Sequence, residues 1–398
     1  MSTTKRSFPE GFDWGTATAA HQIEGANLNN DWWAWEHSPG SPCAVSSGDA
    51  CDSWRRWPDD IRIVGELGFT SYRFSIEWSR IEPAEGEWSR AALDHYRRVG
   101  EALLEQQITP VVTFHHFTTP QWLAAQGGWL APSTADAFAR FCDRAARELA
   151  PVLGRVCTIN EPNVVAFMGY EFGMFPPGHT NADDARRAED IFIAAHRQAV
   201  DAIKQHVPNV PVGLTVSMAD YQAADGGEAA CAAARATEDR FLDAAVGDDF
   251  VGVQTYTRML MGPSGWLGPQ PGVPVVPTMG YELWPEALEA TLRRAWERTG
   301  GGSRLYVTEN GLATDDDAER INYVQRALEG VGRCLDDGID VAGYTYWSLL
   351  DNFEWAFGYT PRFGLVEVDR ATFDRHPKNS AHWLSSVARA NALEVPHQ

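Results

Sequence analysis

A single-domain (β/α)8 barrel of the TIM type, spanning residues 1–398, is the α/β fold that the sequence predicts. Three observations predict it: eight short β-branched or aromatic runs, helical patterns between them, and no linker, repeat or low-complexity tract to divide the chain. Each parallel strand pair needs a crossover of a dozen or more residues, and a barrel repeats that unit eight times. The rival, a doubly wound open sheet, usually carries a glycine-rich phosphate turn after its first strand. GFDWGTATAAHQIEG (11–25) lacks the GxGxxG spacing of that turn.

The predicted strands are, in order, FDWGTAT (12–18), TSYRFSI (70–76), TPVVTF (109–114), RVCTIN (155–160), PVGLTVS (211–217), DFVGVQTY (249–256), RLYVTE (304–309) and VAGYTYWS (341–348). Among the intervening helical patterns are DDIRIVGELG (59–68), ALDHYRRVGEALLEQQ (92–107), STADAFARFCDRAARELAPVL (133–153) and RINYVQRALEGVGRCLDDG (320–338). With 44% hydrophobic residues in 398, the chain can bury a large core.

The net charge of −21, from 33 Lys plus Arg against 54 Asp plus Glu, repels phosphate backbones and anionic membrane surfaces. Neither nucleic acid nor a membrane is an expected partner. The N-terminal MSTTKRSFPEGFDWG has no apolar segment behind its basic residues, and no uninterrupted run of 18 apolar residues occurs. The expectation is a soluble, cytoplasmic protein. Six cysteines (43, 51, 142, 157, 231, 334) form neither a CxxC pair nor a zinc-type cluster. Cys43 and Cys51 bracket one loop and could pair, but reduced thiols are expected where no export signal is present. Sixteen tryptophans are an unusual feature, since an indole suits the C–H face and hydroxyls of a sugar ring, but large cores also use Trp and most of the sixteen are expected there.

Barrel active sites are assembled at the C-terminal ends of the strands. Those ends offer Gln22 and Glu24 after strand 1, Arg73 in strand 2, His115 and His116 after strand 3, and Asn160 and Glu161 after strand 4. Strand 6 adds Gln254 and Tyr256, strand 7 adds Glu309 and Asn310, and the segment after strand 8 adds Asp351, Asn352, Glu354 and Trp355. Strands 4 and 7 lie on different sides of the ring, so Glu161 and Glu309 can converge across the mouth. Two converging carboxylates suit glycosidic bond cleavage, one protonating the leaving oxygen while the other attacks the anomeric carbon. His115–His116 suggests a metal-dependent hydrolase as an alternative, but no further ligands stand at fitting spacing, and hydrogen bonding to substrate or neighbours is the expected use.

The chain resembles the family 1 glycoside hydrolases of the β-glucosidase type over nearly its whole length. The motifs that carry the resemblance arrive in order: FDWGTATAAHQIEG (12–25), SYRFSIEWSRIEP (71–83), HHFTTPQWL (115–123), TINEPN (158–163), YVTENG (306–311), GYTYWSLLDNFEWAFGYTPRFGLVEVD (343–369) and RHPKNSA (375–381). Carried over residue by residue, the resemblance implies Glu161 as acid/base and Glu309 as nucleophile. It implies that Gln22, His116, Asn160, Glu354 and Trp355 meet the sugar in the −1 position, with Trp347 as stacking platform. Arg73 and Tyr256 are implied to contact and orient the nucleophile. The implied activity is exo-acting, retaining hydrolysis of terminal β-D-glucosides, with β-galactosides and β-fucosides as further candidates and no metal or organic cofactor. Transglycosylation by the same residues is the nearer alternative, and a carbohydrate-binding barrel without catalysis the more distant one.

Three departures stand out. Gln254 replaces the usual Asn, which unsettles hydrogen bonding near Glu309, and Phe117 replaces the common Trp, which removes an indole N–H near the sugar. The chain is also short for the family, so trimmed entrance loops are expected. Residues 259–285, rich in Gly and Pro, follow strand 6 and are expected at the mouth, with Trp266 either a leaving-group platform or a cover for the loop's own apolar residues.

Overall fold

The computed structural model describes residues 3–396. Eight parallel strands close into a barrel: β1 (Asp13–Ala17), β2 (Ser71–Ser75), β3 (Thr109–His115), β4 (Arg155–Asn160), β5 (Val212–Ser217), β6 (Phe250–Gln254), β7 (Leu305–Asn310) and β8 (Val341–Trp347). Each is hydrogen-bonded to its sequence neighbours, and β8 pairs with β1 to complete the ring. All eight lie within a residue or so of the runs predicted from sequence.

Eight longer helices follow the strands one by one: α1 (Ser53–Leu67), α2 (Arg90–Glu105), α3 (Ser133–Leu149), α4 (Ala182–His206), α5 (Glu228–Ala244), α6 (Ala287–Arg298), α7 (Asp317–Asp336) and α8 (Asn379–Ala390). Their apolar stripes face the barrel; α3 buries Phe138, Phe141, Cys142, Ala145 and Leu149, a three-and-four spacing that defines one helix face. Caps fix where several begin. Ser89 accepts from the Ala92 N–H at α2, and Asp316 accepts from Ala318 and Glu319 at α7. Short antiparallel pairs decorate the scaffold: 3–7 with 392–396, 366–368 with 375–377, and 275–276 with 281–282.

The lower end of the barrel is sealed. Asp13 at the start of β1 accepts from Thr70 Oγ1 at 2.7 Å, Ser71 Oγ at 2.9 Å and Arg155 Nη1 at 2.9 Å. The Arg155 guanidinium, reaching from β4, lies 3.8 Å from the centre of the Tyr306 ring of β7. Gly343 in β8 makes room for this plug, because a Cβ there would come within 2.7 Å of Asp13 Cβ. Among the described residues no helix is long and apolar enough to cross a membrane. All six cysteines are free thiols, and burial pushes Cys51 up to about 12.

Candidate active site

At the upper end, Arg73 of β2, Asn160 of β4, Gln254 of β6 and Glu309 of β7 build one buried polar network. Arg73 of β2 is 1% exposed and spans it: Nη1 donates to Glu309 Oε1 at 2.6 Å, Nη2 to Asn160 Oδ1 at 2.5 Å and Nε to Thr113 Oγ1 at 3.1 Å. Gln254 Nε2 donates to Glu309 Oε1 at 3.0 Å and to Asn160 Oδ1 at 2.9 Å. Tyr256 OH donates to Glu309 Oε2 at 2.7 Å. Both carboxylate oxygens of Glu309 are therefore held by donors, and Arg73 supplies the opposite charge. With its Oδ1 accepting from Arg73, Gln254 and Thr215, Asn160 turns Nδ2 toward His116 Nε2, 3.2 Å away.

Glu161 follows Asn160 with φ 43°, in the left-handed region, and precedes Pro162, which opens the short helix Pro162–Ala166. Phe117 (φ 71°) and Trp355 (φ 49°) share this backbone class and line the same cleft. Side chains other than glycine avoid that region at a cost of about 1–2 kcal/mol each, and such residues concentrate at functional sites.

The cleft, of about 170 Å³, is lined by Glu161 and Glu309 with His116, Trp347, Glu354 and Trp355. Trp355 lies nearly parallel to His116 (13°, 6.1 Å between ring centres) and to His21 behind it (9°, 5.7 Å). Gln22 Nε2 donates to Phe353 O at 2.7 Å and Glu354 Oε2 at 3.2 Å. Gln22 Oε1 and His116 Nδ1 are buried without a hydrogen-bond partner, which leaves them free for hydroxyl groups.

Burial, reinforced by the charge of Glu309, pushes the Glu161 carboxyl well above the ordinary carboxylate range. Glu309 is also raised by burial, but Arg73 and Tyr256 hold it down. The proton shared between the two acids therefore sits on Glu161 and the charge on Glu309. Burial, then the charge of Glu309, raises Glu354 to about 8. Burial, with Arg73 next, keeps His116 neutral. A neutral acid can protonate a leaving oxygen while the ionised, donor-held carboxylate facing it attacks the carbon that oxygen leaves.

A family model described as glycosyl hydrolase family 1 matches residues 4–263 and 271–393. The chain belongs to glycosyl hydrolase family 1. Among its relatives, Beta-glucosidase A of Thermotoga maritima is 34% identical over 98% of this chain and 99% of its own length. A bifunctional beta-D-glucosidase/beta-D-fucosidase of Bifidobacterium breve is 34% identical over 94% of this chain and 97% of its own. Of solved structures, beta-glycosidase BGL167 superposes with a TM-score of 0.91 at 47% identity, covering 98% of both chains. The Thermotoga maritima beta-glucosidase in complex with deoxynojirimycin gives 0.90 at 33% identity, covering 98% of this chain and 100% of that one.

The fold gathers all ten residues singled out by resemblance at the barrel mouth. Other strand-end residues go elsewhere. Glu24 pairs with Arg80 at 2.8 Å and accepts from Tyr96 OH, beneath the mouth. Asn310 donates to Thr255 O and accepts from Tyr344 OH, and Asp351 pairs with Lys378 at 2.7 Å, so both serve the scaffold. Asn352 accepts only a 3.4 Å contact from Gln22. His115 is a correction: it packs against Trp129, Phe138 and Phe192 between barrel and helices, with both ring nitrogens unpartnered, and burial lowers it to about 3. It neither meets substrate nor joins His116 as a ligand pair.

Gln254 places a donor on both Glu309 and Asn160, so the longer amide still serves the hydrogen bonding near Glu309. Phe117 packs 4.9 Å from Trp355. Arg362 pairs with Asp315 and Glu367 and leaves Glu354 without a basic partner. Trp266 is 47% exposed on a hairpin strand, paired with Met261, and takes no part in the cleft lining; Met279 and Tyr281 are the residues of that segment that reach the cleft. Phe175, Tyr281 and Ser217 also line it without having been singled out. For Ser217 the signal was present: it ends β5, the one barrel strand whose end was not read.

Proposed function

We propose that this protein is an exo-acting, retaining β-glycosidase that removes terminal β-D-glucosyl groups, with β-fucosides as a second substrate class. The observation that carries the reading is the opposed protonation of Glu161 and Glu309 in one cleft. Glu309 attacks the anomeric carbon as Glu161 donates its proton to the glycosidic oxygen; the C–O bond breaks and a glycosyl ester on Glu309 forms. Glu161, now ionised, takes a proton from water, the hydroxyl adds to the anomeric carbon, and Glu309 leaves as the carboxylate. Net configuration is retained after two inversions.

Arg73, Tyr256 and Gln254 disperse the charge of Glu309 before attack and receive it again on release. Trp347 offers its face to the sugar, while Gln22, His116, Asn160 and Glu354 supply acceptors and donors for hydroxyl groups. Trp355 walls the same position. A β-fucoside lacks the 6-hydroxyl and keeps the rest of this contact set, and the Bifidobacterium breve relative carries both activities in its name.

Treatment with a 2-fluoro-2-deoxy-β-glucoside slows release of the intermediate, and peptide mapping is expected to find the label on Glu309. NMR of the first turnovers is expected to show a β-configured sugar product. A label on another carboxylate, or an α-product, refutes the reading.

A further inference from the structure

Ser217 ends β5 and lines the same cleft as Glu161. The β4–β5 ladder stops at the pair Asn160 and Thr215, with the Glu161 N–H donating to Thr215 O at 3.0 Å. Beyond it, one side chain carries the link onward. Asn163 Nδ2 donates to Ser217 O at 2.8 Å, and the Ser217 N–H donates to Asn163 Oδ1 at 3.4 Å. Asn163 is 8% exposed and stands two residues after Glu161, so this two-point clamp is shielded and ties the end of β5 to the residue pair it serves. With its main chain fixed, Ser217 stands beside Glu161 in the lining of the cleft, where a hydroxyl can turn toward the carboxyl.

We propose that Asn163 and Ser217 are a positioning pair for Glu161, in which Asn163 fixes the end of β5 and the Ser217 hydroxyl donates to the ionised Glu161 carboxylate. The proposal rests on the reading of Glu161 as acid/base. Six other groups face Glu161 from the surrounding elements: Glu309 of β7, Arg73 of β2, Glu354 after β8, Tyr256 after β6, His116 after β3, and Tyr281 of the 281–282 strand, a phenol that burial keeps neutral. Glu309 and Glu354 repel its charge, and Arg73 attracts it. Tyr256 and His116 stay neutral, since burial raises the phenol and lowers the imidazole. Arg73 is already committed to Glu309 and Asn160. Ser217 is thus a neutral donor that favours the ionised acid without adding charge to the cleft. That state is the one required when Glu161 deprotonates water, so the pair assists the second step and limits the first at high pH.

The test compares Ser217→Ala, Ser217→Thr and Asn163→Ala across pH, following kcat/KM for methyl β-glucoside, whose leaving group needs the proton. Loss of the hydroxyl raises the pH at which Glu161 gives up its proton, so the alkaline limb of Ser217→Ala is expected to move up by about one pH unit. Ser217→Thr keeps the hydroxyl and is expected to overlay the parent. Asn163→Ala should move the limb in the same direction as Ser217→Ala. An alkaline limb unmoved in Ser217→Ala, or moved as far in Ser217→Thr, overturns the proposal. Glu161→Ala, followed beside the parent and Ser217→Ala with p-nitrophenyl β-glucoside, on which it keeps measurable turnover, separates the two readings: if it abolishes the alkaline limb while Ser217→Ala leaves it in place, Glu161 stands and the positioning pair falls. If the limb survives in Glu161→Ala, both fall.

Discussion

Tyr256→Phe removes one oxygen from the site and little else. Its hydroxyl donates to Glu309 Oε2 at 2.7 Å in a buried setting, while the ring packs edge-on against Phe363 at 5.8 Å, a contact Phe retains. A hydrogen bond to a charged partner contributes about 1.5–3 kcal/mol, and each ~1.4 kcal/mol is one pKa unit, so Glu309 should titrate about 1 to 2 units higher. The sign follows from the form that is stabilised: the phenol donates to the carboxylate, so its loss favours the acid. Arg73 and Gln254 still hold Oε1, which keeps the side chain in place. The assay is kcat/KM for p-nitrophenyl β-glucoside between pH 4 and pH 9. The acid limb is expected to move upward by that interval, with the activity deficit shrinking as pH rises. An acid limb that coincides with the parent's, whatever the drop in rate, refutes the argument that Tyr256 holds the charge on Glu309.

Glu161→Ala is expected to lose far less glycosylation rate on glycosides with activated phenols than on alkyl glycosides, measured as kcat/KM across a leaving-group series; equal losses would contradict its role as acid. His115→Phe removes two buried unpartnered nitrogens and is expected to keep activity. His115 titrates at about 3 when folded against 6.5 when unfolded, so the stability it contributes is present above pH 6.5 and lost as pH falls. The unfolding free energies of parent and variant should therefore diverge by about 1.4 kcal/mol per pH unit below 6.5, as urea melts will read. For Glu354, p-nitrophenyl β-glucoside should be preferred to its 6-phosphate, and the preference should widen as pH rises through about 8, where Glu354 ionises, because no cation beside it offsets a phosphate. Glu354→Ser is expected to flatten that pH dependence, and a flat ratio in the parent would count against the placement of Glu354.

The barrel and the two acids were legible because both rest on local signals. β-branched runs mark strands, and a carboxylate at a strand end marks the mouth of a barrel. His115 shows where that logic stops. Adjacent residues on a strand point to opposite faces, so His116 enters the cleft and His115 enters the helix layer, a distinction that turns on one residue of register. Glu354 illustrates a second limit. A glutamate met in a sequence is ionised at neutral pH by its ordinary pKa; in the folded chain burial, combined with the charge of Glu309 far away in sequence, keeps Glu354 largely protonated there. Tyr281 and Phe175 come from long loops whose course depends on packing against other loops, which no short window of residues encodes. Ser217 was within reach of the same strand-end rule that found Glu309.

The plug formed by Asp13, Arg155 and Tyr306 gives the site one door, and one door imposes an order of traffic. Whatever binds deepest arrives first and departs last. The leaving group, lodged nearer the opening, must clear the passage before water can reach the glycosyl ester. The freed sugar then occupies the same seat that the next substrate needs. Accumulating product therefore competes directly with incoming substrate, and any alcohol that lingers at the threshold stands first in line for the ester when the leaving group has gone.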